Sequence, residues 1–251
     1  MVTLLLKKSY RHKDLKEIKF NDLWNAYGVF TTMRVIGKSA KILFYKAHID
    51  NLIRSLKIYK IYKKNLKQNI IKLIRINLKK NQNYDHLLRV ASNNKIISIS
   101  LRKRTVPKKN FKLKMINYKR VQAKYKNLKY KKILKILSKL DTAKFDIALY
   151  KNKKLLETGT SNLLFVSNNK IYSPKRDIYK GITFNFFSKK VKINSKDIFV
   201  KDLNNYNEII LVGSGKGVVS VSEIKNTIWK RKSLEIYNRL IEIYNNEIYY
   251  S

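Results

Sequence analysis

Leu156-Glu-Thr-Gly-Thr-Ser-Asn-Leu-Leu-Phe-Val166 is the stretch on which the fold turns. An acid follows two leucines, four small polar residues follow the acid, and an apolar run reading as a strand closes the segment. The chain has only 16 acidic residues, so a carboxylate in this setting stands out. Buried there, it needs a cation or hydrogen-bond donors; in a solvated hairpin loop it needs neither. Downstream, Ile171-Tyr-Ser-Pro174 reads as a further strand and Lys180-Gly-Ile-Thr183 opens an apolar helix. A helix start offers unpaired N–H groups and partial positive charge, which suits a phosphate and equally suits an ordinary helix. Glu208–Val212 reads as a buried strand running into Gly213-Ser-Gly-Lys-Gly217. Clustered glycines allow close approach of the backbone to an anion. The spacing is neither a Walker A loop nor a dinucleotide fingerprint, and a plain tight turn accounts for it too.

Upstream, residues 28–36 are β-branched and aromatic, as in a strand, and Lys41–Phe44 reads as its hairpin return. Ile49, Leu52, Ile53, Leu56 and Tyr59 recur at helical spacing, and Leu66, Ile70, Ile71, Ile74 and Leu78 do so again. Strands are expected at 2–6, 86–91, 95–101, 111–118, 145–150, 162–166, 170–173 and 218–221, and helices at 127–140 and 232–246. Residues 102–110 hold five cations and a proline, a linker-like break. It divides a small α+β domain, 1–106, from a larger one, 107–251.

Composition narrows the chemistry. At 251 residues, 44% of them hydrophobic, the chain can bury a proper core. Without cysteine there is no disulfide, thiolate metal site or cysteine nucleophile. The three histidines, His12, His48 and His86, lack ligand spacing. No apolar run spans a membrane and none resembles a signal peptide, so a cytoplasmic protein is expected. The net charge of +41 raises the alternative of a non-enzymatic polyanion binder. Against a dedicated nucleic-acid role, the cations are 46 Lys and only 11 Arg, spread over the whole chain.

Taken in order, four of these segments resemble the class IV aminotransferase family, the pyridoxal-phosphate enzymes of fold type IV. Gly28-Val-Phe-Thr-Thr-Met-Arg34 followed by Ala47-His-Ile-Asp-Asn-Leu52 is similar to its N-terminal signature. Leu156–Val166, Ile171–Pro174 and Lys180–Thr183 are similar to its central one, and Val212–Val221 to its phosphate loop. The likeness spans about residues 20–225. It implies an α+β fold of two domains, the larger with a mixed-sheet, barrel-like core, and a homodimer with the active site near the subunit interface.

The resemblance also implies roles. Pyridoxal 5'-phosphate would be the cofactor. The Schiff-base lysine is expected about 30 residues before Glu157, where Lys124, Lys126 and Lys129 stand; the family's Arg-to-Lys spacing runs from Arg120 to Lys126, with Lys124 as the alternative. Tyr130 would lie near the phenolic oxygen and Glu157 would hold the pyridine nitrogen. Ile182, Thr183, Ser214 and Gly215 would hold the phosphate. Three positions depart from the family: Asn51 replaces a phosphate-binding Arg, Phe184 replaces an Arg, and Ser220 replaces a Pro. Arg54, one turn beyond Asn51, is the candidate substitute. Thr32, Arg34, Arg89, Thr160 and Ser161 are candidates for the substrate side, which would take a small, anionic, amino-acid-like molecule. Hydroxyls in Phe30-Thr-Thr-Met-Arg34, where aminotransferases often have Glu, resemble 4-amino-4-deoxychorismate lyase. The alternative within the family is an aminotransferase acting on branched-chain or D-amino acids.

Overall fold

The computed structural model describes residues 4–79 and 82–250. The expected strand at 2–6 lies partly outside them. The chain forms two compact units: one runs up to Arg104 and takes back Tyr125–Lys132, and the other comprises Thr105–Lys124 and the chain from Ile133 on.

In the first unit, β1 (Leu4–Arg11), β2 (Glu17–Ile18), β3 (Val29–Gly37), β4 (Lys41–Ile42), β5 (Tyr84–Ser92) and β6 (Ile96–Lys103) make an antiparallel sheet in the order β2-β1-β6-β5-β3-β4. Helices α1 (Tyr45–Ile58) and α2 (Leu66–Asn77) cover one face. Alternation decides which side chains they meet: Val29, Met33 and Val35 of β3 join Ile49, Leu52, Leu56, Ile70 and Leu73 in one core. Each fully buried side chain of this size contributes about 2 kcal/mol. The register Thr32↔Arg89, Arg34↔Leu87 and Leu87↔Arg102 places three arginines on the opposite face of the sheet.

In the second unit, β7 (Phe111–Asn117) is followed by α3 (Lys131–Leu137), whose first two residues belong to the other unit. The remaining strands are β8 (Phe145–Lys151), β9 (Lys154–Thr158), β10 (Asn162–Ser167), β11 (Lys170–Pro174), β12 (Ile193–Lys196), β13 (Ile198–Phe199), β14 (Glu208–Gly213) and β15 (Gly217–Ile224); α4 (Ile182–Lys190) and α5 (Glu235–Tyr250) are the helices. The sheet is mixed, in the order β12-β11-β10-β14-β15-β7-β8-β9-β13. Its two edge strands, β12 and β13, are separated in the chain by Asp197 alone. A nine-stranded sheet can meet that constraint only by curling until its edges adjoin, so the unit is barrel-like. Phe111, Leu163, Phe165, Leu211, Val219 and Trp229 belong to its core. Glu208, 1% exposed, accepts the N–H groups of Ile236 (2.9 Å) and Tyr237 (2.8 Å) and so anchors the start of α5.

The helix expected at 127–140 is shorter than its sequence pattern. Asn127 bridges to Val29, and the Leu128 N–H donates to the Gly28 carbonyl at 3.0 Å, so these residues run beside β3 and the helix begins at Lys131. Among the described residues, no helix is long and apolar enough to cross a membrane. No group of three or more His, Cys, Asp or Glu side chains there could hold a metal ion.

Candidate active site

The site residues fall into two sets, one in each unit. In the first, β3 positions Lys126. The Phe30 N–H donates to the Lys126 carbonyl at 2.9 Å. Gly28 permits this approach: a Cβ there would lie 2.4 Å from the Ser92 carbonyl oxygen and 2.7 Å from Leu128 Cδ1. The Lys126 ammonium sits 5.2 Å from the centroid of the Phe30 ring, a cation–π contact. Lys126 is half-buried, whereas Lys124 and Lys129 are exposed. Tyr130 packs edge-on to Phe30 at 5.7 Å and stacks on Trp24 at 6.0 Å.

Beneath this set lies a buried polar pair. Thr31 Oγ1 and His48 Nδ1 are 2.7 Å apart, with His48 3% exposed on α1. Burial first, then the positive charge of Lys126, pushes the imidazole pKa down to about 3, so His48 is neutral. This has a consequence for stability. The unfolded chain takes up this proton near pH 6.5 while the folded one resists it, so acid favours unfolding below that pH. Between pH 7 and 4.5 His48 is expected to remove on the order of 2 kcal/mol of stability. Urea unfolding of His48→Gln should show a correspondingly shallower acid limb; parallel pH profiles for the two proteins would count against it.

Of the other candidates in this unit, Thr32 is half-buried opposite Arg89. Arg34 is engaged elsewhere: its Nε donates to Asp85 Oδ1 at 3.0 Å, and Arg104 shares the same carboxylate. It is therefore a structural cation and not an open anion site. Arg54 is exposed on α1. Arg89 lies over the Trp24 ring at 3.7 Å.

In the second unit the carboxylate of Glu157 is buried and not part of a solvated loop. Glu157, at the end of β9, is 5% exposed. Arg120 Nε donates to its Oε1 at 2.6 Å, and the Tyr179 N–H donates to Oε2 at 3.2 Å. Arg120, itself 4% exposed, also donates to the Ala123 carbonyl at 2.8 Å. A buried pair of this quality favours the ionised carboxylate.

Helix α4 starts at a point fixed by Asn162, which accepts from the Gly181 N–H at 3.0 Å and donates to the Tyr179 carbonyl at 2.6 Å. The first turn of α4 holds no acid and has no side-chain cap. Ile182 and Thr183 therefore present N–H groups that the helix leaves without acceptors of its own. Thr183 is fully buried, with Oγ1 3.5 Å from Ser214 Oγ. Ser161 Oγ is buried with no hydrogen-bond partner. A Cβ on Gly213 would come within 2.8 Å of that oxygen, so only glycine lets the 213–217 turn approach it. Three hydroxyls, two of them beside a helix N-terminus and the third without a partner, suit a phosphate group.

Thr160, by contrast, is committed to the protein. It donates to Asp146 Oδ2 at 2.6 Å, and Thr158 donates to the same oxygen at 3.0 Å. Asp146 is fully buried and ties the 158–161 loop to β8. Thr160, itself exposed, thus spends its hydroxyl hydrogen on Asp146. Sequence reasoning assigned no role to Arg120, Asp146 or the Thr31–His48 pair. Arg120 served only as a ruler for Lys126. Asp146, an acid inside an apolar strand of an acid-poor chain, carried the same signal that singled out Glu157.

A family profile for class IV amino-transferases matches residues 28–224. The chain belongs to the class IV aminotransferase family. No curated protein sequence matches it. Among solved structures it is similar to a candidate 4-amino-4-deoxychorismate lyase from Legionella pneumophila (20% identity, 88% of this chain and 91% of that one, TM-score 0.70). It is also similar to the branched-chain amino acid aminotransferase from Escherichia coli (14%, 96% and 93%, 0.76). A third is an aminotransferase from Brucella abortus bound to pyridoxal phosphate (16%, 96% and 98%, 0.74). At these identities the likeness shows the fold, which is that of the fold type IV enzymes. Membership of the class IV family carries pyridoxal phosphate as cofactor and lyase or aminotransferase chemistry as the enzyme class.

Proposed function

We propose that the chain is an aminodeoxychorismate lyase, releasing pyruvate and 4-aminobenzoate for folate synthesis. The observation that carries this reading is the strand Phe30-Thr-Thr-Met-Arg34, which bears hydroxyls where aminotransferases often bear a carboxylate, with Thr31 satisfied by a neutral His48. In this reading Lys126 is the lysine that binds the cofactor covalently, and Glu157 accepts the ring nitrogen's N–H. Tyr130 lies near the phenolic oxygen. The N–H groups of Ile182 and Thr183, with Ser214, Gly215 and the orphaned Ser161 hydroxyl, hold the phosphate. We also propose that the two compact units are the family's two domains, and that the enzyme is a cytoplasmic homodimer without a nucleic-acid partner.

Bound pyridoxal phosphate supplies an electron sink for the bond-breaking step. The protein's part is proton management. Arg120, paired with Glu157, favours the ionised carboxylate, which would hold a proton on the cofactor's ring nitrogen. Lys126 Nζ would serve as the general base. An aminotransferase on branched-chain or D-amino acids would use the same groups for its first proton transfer, and a branched-chain aminotransferase is among the structural neighbours.

Product identity separates the two. Incubated with pyridoxal phosphate and aminodeoxychorismate, the enzyme should form 4-aminobenzoate and pyruvate in equal amounts with no keto-acid acceptor present. Turnover that begins only when an acceptor is added would assign it to the aminotransferases instead.

A further inference from the structure

Asp146 is a buried acid to which the reaction described above gives no part. It stands on β8 with no exposure, and its hydrogen-bond donors are neutral. The Ile147 N–H donates to Oδ1 at 2.7 Å, and the hydroxyls of Thr158 (3.0 Å) and Thr160 (2.6 Å) donate to Oδ2. In a chain of 57 cations and 16 acids, a buried acid held by neutral groups alone, among the described residues, is unexpected. An apolar side chain would fill this place in the strand without the desolvation cost. The use of the acid therefore lies in what it organises.

It organises the turn from Thr158 to Ser161. Thr158 Oγ1 accepts the N–H groups of Ser161 (2.8 Å) and Thr160 (3.2 Å). Its own hydrogen is left for Asp146 or for the Ser161 carbonyl, each 3.0 Å away. The Thr158 N–H closes the turn on that carbonyl at 2.9 Å, and the Gly159 N–H donates to the Ile147 carbonyl at 3.0 Å. A Cβ on Gly159 would lie 2.9 Å from Asp146 Oδ1, so the turn hugs the acid. Every N–H of the turn is spent inside the protein, and two of its three hydroxyls face one carboxylate. The hydroxyl left over is Ser161 Oγ, buried without a partner beside Gly213. The flanking residues are fixed as well. Glu157 precedes the turn and accepts the Tyr179 N–H, and Asn162 follows it and holds the start of α4.

We infer that Asp146 is a positioning residue for the cofactor's phosphate: by holding the 158–161 turn it aims the Ser161 hydroxyl at that group, in register with Glu157. This rests on the phosphate placement in the reading above, and Asp146 itself touches no part of the cofactor. The sign of its effect is diagnostic. Taking a negative charge away from the neighbourhood of a phosphate would, by Coulomb's law alone, tighten phosphate binding. Loss of positioning loosens it.

The test compares pyridoxal 5'-phosphate with pyridoxal, the same ring without the phosphate. The cofactor-free enzyme is titrated with each, followed by the visible absorption of the lysine-bound form. Salt is held at about 0.15 M so that surface lysines contribute little. The phosphate form should bind at least about a hundredfold more tightly. Asp146→Asn places an amide N–H group where only acceptors fit, and should cut that preference at least about fivefold while pyridoxal binds as before. Thr160→Val, at an exposed position, should cut it at least about twofold, and Thr160→Ser should restore it. A purely structural role would weaken both ligands alike and leave the preference where it was. A smaller cut in Asp146→Asn, or a gain, would overturn the assignment. Should that variant fail to fold, a wild-type preference in Thr160→Val would overturn it instead. Ser161→Ala keeps the two readings apart. A preference cut in Ser161→Ala but not in Asp146→Asn removes the role of Asp146 and leaves the phosphate site. A preference unchanged in Ser161→Ala, or absent from the wild type, removes that site and the role of Asp146 with it.

Discussion

Lys126→Ala is expected to abolish turnover, by at least about three orders of magnitude, because in the proposed function Lys126 is both the covalent attachment and the general base. Lys124→Ala and Lys129→Ala leave turnover within about twofold of wild type, since both side chains are exposed. Lys126 belongs to a segment whose backbone pairs with β3, so the alanine variant should fold normally. Steady-state assays, with borohydride reduction followed by peptide mapping, check this directly. The labelled lysine should be Lys126; a label on Lys124, or full activity in Lys126→Ala, would move the catalytic role elsewhere in the chain.

Arg120→Met is expected to be the most damaging single change to the second unit. It removes from Glu157, 5% exposed, the guanidinium that faces its Oε1. Leaving one member of a buried ion pair unpartnered costs about 3–5 kcal/mol. The carboxylate should then take up a proton to relieve this cost, and it no longer favours a protonated ring nitrogen. Cofactor retention and activity fall together with stability. The double variant Arg120→Met/Glu157→Leu should regain much of the stability, because an apolar pair of similar volume removes the buried charge, yet recover no activity. Urea unfolding with parallel cofactor absorption reads both effects. A loss under about 1 kcal/mol in Arg120→Met would mean that the pair is less desolvated than its geometry shows.

How much of this could be read from residues alone follows from what each pattern encodes. Ile49, Leu52, Ile53 and Leu56 announced α1 because helical spacing is set by burial on one face, and those are the side chains packed in the first core. Residues 127–130 misled because their local pattern continues into a helix, while the long-range pairing of Asn127 with Val29 overrides it. No sequence pattern reports a partner 98 residues away in the chain. The catalytic candidates divide along the same line. Glu157, Thr183 and Ser214 sit in motifs whose spacing is fixed by the local turn of chain, and they lie in buried polar settings. Arg34 and Thr160 have suitable chemistry but also donate to Asp85 and Asp146, and such contacts appear only when the strands are paired. Arg120 was hidden by abundance: with 57 cations, residue type alone cannot tell which one is buried against an acid.

The single residue between β12 and β13 has an effect beyond shaping the second unit. Exposed strand margins are templates on which other copies of a chain can add, and runs such as Glu208-Ile-Ile-Leu-Val212 are strongly β-forming. Bringing both margins to Asp197 leaves an incoming chain little length on which to nucleate. The charge of +41 keeps copies apart at a distance, and this seam protects them on contact, so resistance to fibre formation does not depend on low salt alone.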